Sequence, residues 1–116
     1  MSTSASDMAR ALRERALAAR HRSEERASHL GTLLPRAAEC LRRHGATQVW
    51  LFGSLAEGRP SLESDVDLAV EGLPAATYFD ALAEVTELLG TRVDLVRVEQ
   101  APASLRQRIA ETGVPV

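Results

Sequence analysis

The residues whose types and spacing could do chemistry are the pair Gly53-Ser54, the acids Asp65 and Asp67, and a third acid, Asp94. Gly53-Ser54 closes an apolar run, Gln48–Phe52. Glycine lets backbone N–H groups approach a phosphate closely and serine adds a hydroxyl donor. A short helix after Gly53 would point its N-terminus at the same anion. Asp65 and Asp67 are two residues apart, so on an extended chain both face one side. Two carboxylates held side by side repel, by on the order of 4 kcal/mol at ~4 Å and an effective dielectric of ~20. A divalent cation removes that penalty, and Mg²⁺ suits a site of one or two carboxylates, waters and substrate phosphates. Asp94 lies between Val93 and Leu95. If its strand pairs beside the Asp65–Asp67 strand, three carboxylates converge, enough to hold two metal ions for an in-line phosphoryl displacement.

Those residues need a sheet to carry them. Gln48–Phe52 reads as a buried strand, residues 53–64 as a turn or short helix plus a loop, and Val66–Val70 as a second strand. Pro74 opens a helix whose apolar face is Tyr78, Phe79, Leu82, Val85 and Leu89, and Gly90 ends it. Val93–Val98 reads as a third strand, Pro102–Thr112 as a last helix with Leu105 and Ile109 on one face, and Val114–Val116 as a short edge strand. Ahead of them, residues 6–44 are rich in Ala, Arg, Leu and Glu and read as helical. Gly31 and Pro35 interrupt that region, which predicts either two helices meeting near 31–35 or one long kinked helix. Gly45, after Arg42, Arg43 and His44, reads as the C-terminal cap. The order implies an α/β (α+β) fold, a small mixed sheet with packed helices. We divide the chain into an N-terminal helical extension, residues 1–45, and a core, residues 46–116.

The run Gly53-Ser54, ten residues, then Asp65-Val66-Asp67, with an apolar strand before it and an apolar-flanked Asp94 after it, resembles the signature of the DNA polymerase β-like nucleotidyltransferase superfamily. The short length is similar to its minimal nucleotidyltransferase branch. The resemblance covers roughly residues 46–98. It implies transfer of a nucleoside monophosphate, AMP from ATP first among them, to a hydroxyl with release of pyrophosphate. Gly53 and Ser54 would hold the β and γ phosphates, Asp65 and Asp67 both of two Mg²⁺ ions, and Asp94 the catalytic metal and the acceptor's proton. It further implies a role as antitoxin, adding AMP to a tyrosine of a helical HEPN toxin. Two other readings stay open: an antitoxin that neutralises by binding alone, and a nucleotidyltransferase of the aminoglycoside-modifying type. The latter carries an added helical domain that this sequence lacks.

Blander readings stand beside these. Asp65 and Asp67 could be solvated acids at a strand end, Asp94 could be a merely structural acid, and Arg59 could clamp a triphosphate or be a solvated loop arginine. Cys40 reads as an inert core thiol, His21, His29 and His44 as surface or packing residues, and Trp50 as core. Tyr78 reads as core rather than as a site of self-modification. The single cysteine excludes an internal disulfide framework. No apolar run approaches the ~18 residues of a membrane span, and the N-terminus lacks a signal-like core, so a cytoplasmic setting is expected. Residues 1–47 hold nine Arg and five acids, a balance of +4, and residues 48–116 five Arg and eleven acids, a balance of −6. An acidic half that handles phosphates needs cations from elsewhere. The Arg-rich segment 9–30 could be a solvated face, a nucleic-acid contact, or a docking helix for a partner or a second copy. Its interspersed Glu14, Glu24 and Glu25 and its lack of aromatic platforms argue against nucleic acid, and its Ala/Leu stripe favours docking.

Overall fold

The computed structural model describes residues 4–59 and 61–116. A single helix, α1, runs from Ala5 to Arg43. The Ser4 side chain caps it by accepting from the Asp7 N–H at 3.1 Å, and Arg42 and Arg43 lie in its last turn. Pro35 sits inside it without ending it. An interior proline costs about 3 kcal/mol through the lost hydrogen bond and its clash with the carbonyl four residues back. Buried Leu30, Leu34, Ala37, Ala38 and Leu41, one stripe at helical spacing across that point, offset the cost. Of the two forms predicted, two helices or one long kinked helix, a single long helix is observed. Its end is one residue earlier than the glycine suggests: His44 is the cap, and Gly45, at φ +118°, reverses the chain into the sheet.

The sheet has the order β3-β2-β1-β4. β1 (Gln48–Phe52) pairs antiparallel with β2 (Val66–Glu71) and with the short β4 (Val114–Pro115); β2 pairs parallel with β3 (Val93–Arg97). Between β1 and β2 lies a single helical turn, α2 (Gly53–Ala56). A 3-10 turn, Ala75–Thr77, follows Pro74 and leads into α3 (Tyr78–Leu89), so the proline stands ahead of the helix rather than in its first turn. Gly90, at φ +65°, caps α3 in the left-handed conformation. α4 (Ala103–Thr112) precedes β4.

Strand alternation divides the core in two. Val49, Leu51, Val66, Leu68, Val70 and Leu95 join the α1 stripe and Ala81, Val85 and Leu89 of α3. The opposite face carries only a small cluster, Phe52 and Ala69 against Ile109 of α4, with Trp50, Val96 and Leu105 partly buried around it. Trp50 therefore packs on the thin side and is half-buried. Phe79 departs from expectation: it is 77% exposed. The buried stripe of α3 is Ala81, Val85 and Leu89, and a residue two positions before Ala81 lies on the far side of the helix.

Candidate active site

The thin face is where the acids stand. Asp67 follows Val66 and precedes Leu68, both buried under α1 and α3, so its side chain emerges on the α4 side. The parallel register sets Asp67 directly opposite Asp94, flanked by the buried Leu68 and Leu95. Asp65 stands one residue ahead of β2, near enough for its carboxylate to act on that of Asp67. α4 covers Ala69 and Phe52 but leaves this end of the sheet open: Asp65 and Asp67 are half-buried and Asp94 is exposed. Phe52, the last residue of β1, pairs with Asp67, and the chain turns at Gly53 with φ +75°. A Cβ on Gly53 would fall on the Asp67 carboxylate, so the turn admits only glycine. The expected pair Gly53-Ser54 thus borders the expected acids, and α2 starts there.

The charge of this site is unbalanced. Burial, then the Asp94 carboxylate, then the Asp65 carboxylate push the Asp67 carboxyl above the ordinary carboxylate range, and the Arg108 guanidinium only partly opposes them. Three oxygen-donor side chains of one sign at an open strand end are the donor set that a hard divalent cation takes. They are not drawn tightly together. Among the described residues the group of three whose donor atoms all lie within 4.8 Å of one another is Cys40, His44 and Glu84, not the three aspartates. Mutual repulsion spreads like charges, and Arg92 Nε stands 3.8 Å from Asp65 Oδ2.

The Arg59 guanidinium is 3.3 Å from Glu57, which Arg108 of α4 also reaches, at 3.2 Å. A cleft of about 650 Å³ opens between α1 and this loop, lined by Arg20, Ser23, Glu24, Ala27, Leu55, Gly58 and Arg59. A second, of about 480 Å³, lies between α3 and α4 and includes Tyr78, Phe79, Val96 and Leu105. Neither is lined by the aspartates. Tyr78 donates from its hydroxyl to the Leu95 carbonyl at 2.5 Å, a packing role; burial and the nearby Asp94 push its phenol up. His44 Nε2 and Glu84 share a hydrogen bond of 2.5 Å that ties α1 to α3. Cys40 is fully buried beside them, and burial raises its thiol. His21 pairs with Glu25 on the exposed face of α1. Arg92 and Arg108 escaped the sequence reading. Arg108 adjoins Ile109, whose apolar phase places α4 on the sheet, but no local signal tells that its neighbour meets Glu57, 51 residues away.

A family model described as polymerase beta nucleotidyltransferase matches residues 37–116. The chain belongs to this family. It is a nucleotidyltransferase, and the mixed sheet with packed helices is the family's fold. Its relatives include the protein adenylyltransferase MntA of Thermococcus cleftensis, 40% identical over 77 residues that span 64% of this chain and 74% of the relative. A solved structure of a minimal nucleotidyltransferase superposes with a TM-score of 0.65 at 32% identity, covering 75% of this chain and 95% of that one. A chain of a toxin–antitoxin crystal structure with AMP-PNP superposes with a TM-score of 0.61 at 26% identity, over 67% of each chain. The N-terminal residues 1–36 of the nucleotidyltransferase lie outside the family match. No helix among the described residues is long and apolar enough to cross a membrane.

Proposed function

We propose that this nucleotidyltransferase moves AMP from ATP onto a tyrosine hydroxyl of a partner toxin of the HEPN type, and so acts as its antitoxin. The observation that carries the reading is the parallel register that sets Asp67 beside Asp94 on the open face, next to the Gly53 turn. The adenylyltransferase named among its relatives and the nucleotide-bound toxin–antitoxin neighbour support the choice of AMP and of a toxin. In the step itself the acceptor oxygen bonds to the α-phosphorus and the bond from that phosphorus to the bridging oxygen of pyrophosphate breaks. The acceptor's proton passes to Asp94, and pyrophosphate leaves. Asp65, Asp67 and Asp94 would hold two Mg²⁺ ions, which neutralise phosphate charge when bound. Gly53 and Ser54 offer N–H and hydroxyl donors to the β and γ phosphates, Arg92 and Arg108 supply the cations nearest the acids, and Arg59 of the following loop is a further candidate to clamp the triphosphate. The exposed N-terminal half of α1, with its apolar Met8, Leu12 and Leu17, is the segment this reading gives to the partner.

The test is incubation with α-labelled ATP, Mg²⁺ and the product of the adjacent gene, which this reading expects to be a helical HEPN-type toxin. Label is expected on a toxin tyrosine, and Asp65→Asn or Asp67→Asn should remove at least about 100-fold of the rate, beyond what loss of an outer partner of a metal ligand costs. No transfer with any nucleoside triphosphate, or full activity in both variants, contradicts the reading.

The long exposed half of α1 favours one competing reading, neutralisation by occlusion. A triple Asp65/Asp67/Asp94→Ala variant separates the two. If cells expressing it still survive the toxin, binding alone suffices.

A further inference from the structure

Arg26 stands on α1, outside the family match at residues 37–116. It lies four residues before Leu30, at the polar end of the stripe that α1 buries, so the core fixes where it sits. Its guanidinium reaches three acceptors on the body of the molecule. Nη1 donates to the Ser61 carbonyl at 3.1 Å; Nη2 donates to the Ser64 carbonyl at 2.8 Å and to Thr91 Oγ1 at 2.9 Å. These acceptors are not scattered. Ser64 immediately precedes Asp65, and Thr91 stands two residues ahead of β3, which carries Asp94. The same junction is closed by the Val66 N–H donating to the Arg92 carbonyl at 3.0 Å, and by a Ser61–Ser64 hydroxyl contact of 2.7 Å.

We infer that Arg26 is a positioning residue for the aspartate site: it clamps the entry of β2 to the entry of β3 and thereby sets Asp65 relative to Asp94. The inference rests on the proposed metal-dependent transfer at that site. Repulsion drives the carboxylates apart, and Asp65 lies outside the β ladder, so its place depends on what holds residues 61–64. A planar guanidinium can serve two carbonyls and a hydroxyl at once through charge-assisted hydrogen bonds. A lysine ammonium is a compact point charge without that fork. The N-terminal extension then has a part in the chemistry, because it supplies the clamp.

The test compares the wild-type chain with Arg26→Ala and Arg26→Lys. Mn²⁺ binding in the presence of an ATP analogue is followed by loss of the free-ion paramagnetic resonance signal, and AMP transfer is followed across a Mg²⁺ titration. In Arg26→Ala, Mn²⁺ affinity and kcat should each fall by about 10- to 100-fold. More Mg²⁺ should be needed for half-maximal rate, with helix content unchanged. Added guanidinium ion, well below denaturing concentration, should restore part of both, and Arg26→Lys should not restore them. Arg26→Ala that binds Mn²⁺ as tightly as wild type, or loses activity only in proportion to its unfolded fraction with no rescue, overturns the inference while leaving the transfer reading standing. A wild type that binds no Mn²⁺ overturns both.

Discussion

Partial burial, then the Asp94 and Asp65 carboxylates, oppose a charge on Asp67. Its pKa in the folded chain is raised above the unfolded value, so between the two values the folded chain holds more proton. Stability is therefore lost as pH rises through the folded pKa and regained as pH falls toward the unfolded one. Asp67→Asn should raise the metal-free Tm at neutral pH, and the gain should vanish as pH falls below the ordinary carboxylate range. Thermal melts across pH read this directly; an unchanged or lowered Tm at pH 7 contradicts it. Mg²⁺ should raise the wild-type Tm by mass action and leave Asp67→Asn nearly unmoved. Gly53→Ala puts a Cβ into the Asp67 carboxylate at a positive φ, and should cost about 1–3 kcal/mol in a urea melt with loss of transfer. Asp65 and Asp67 were legible as a pair because a two-residue spacing faces one side of an extended chain, although Asp65 itself stands just ahead of the strand. Asp94 was legible only on the condition that its strand lay beside theirs, as it does. Arg26, Arg92 and Arg108 were not legible, because Arg26 and Arg108 reach groups 35 to 65 residues away and Arg92 meets Asp65 only through the pairing of β3 beside β2.

Among the elements, α1 does two unlike jobs. From Leu30 to Leu41 it is a wall of the core; ahead of that, Met8, Leu12 and Leu17 are between 58% and 61% exposed. Leu41→Ala should cost about 2–5 kcal/mol, whereas Leu12→Ala should stay within about 0.5 kcal/mol; urea midpoints at constant slope measure both. A large loss for Leu12→Ala would mean that the exposed half packs on something in solution. Local signals at Gly31 and Pro35 left open whether α1 breaks, since they record a cost and not the buried stripe that outweighs it. The same limit misplaced Phe79: its apolar type suggested the core face of α3, but Ala81, Val85 and Leu89 set the phase of that helix. Small residues at the tightest contacts give a weaker sequence signal than a large aromatic on the wrong side.

Over the whole molecule, the basic half braces the acidic one. Besides Arg26, Arg42 donates to the Val116 carbonyl at 2.6 Å and Arg43 approaches Glu84 at 3.4 Å. The cations that the acidic half needs are thus partly structural, and those nearest the acids, Arg92 and Arg108, belong to its own sequence. On the proposed reading the aspartates, spread as they are, close on shared metal when nucleotide arrives. Crystals grown with Mn²⁺ and a non-hydrolysable ATP analogue, measured for manganese anomalous scattering, test this most directly. The expected result is anomalous density at coordinating distance, about 2 Å, from the carboxylates of Asp65, Asp67 and Asp94, with the analogue's phosphates against Gly53 and Ser54. Manganese bound elsewhere, or an Asp94 carboxylate turned away from the density that Asp65 and Asp67 share, would contradict the account.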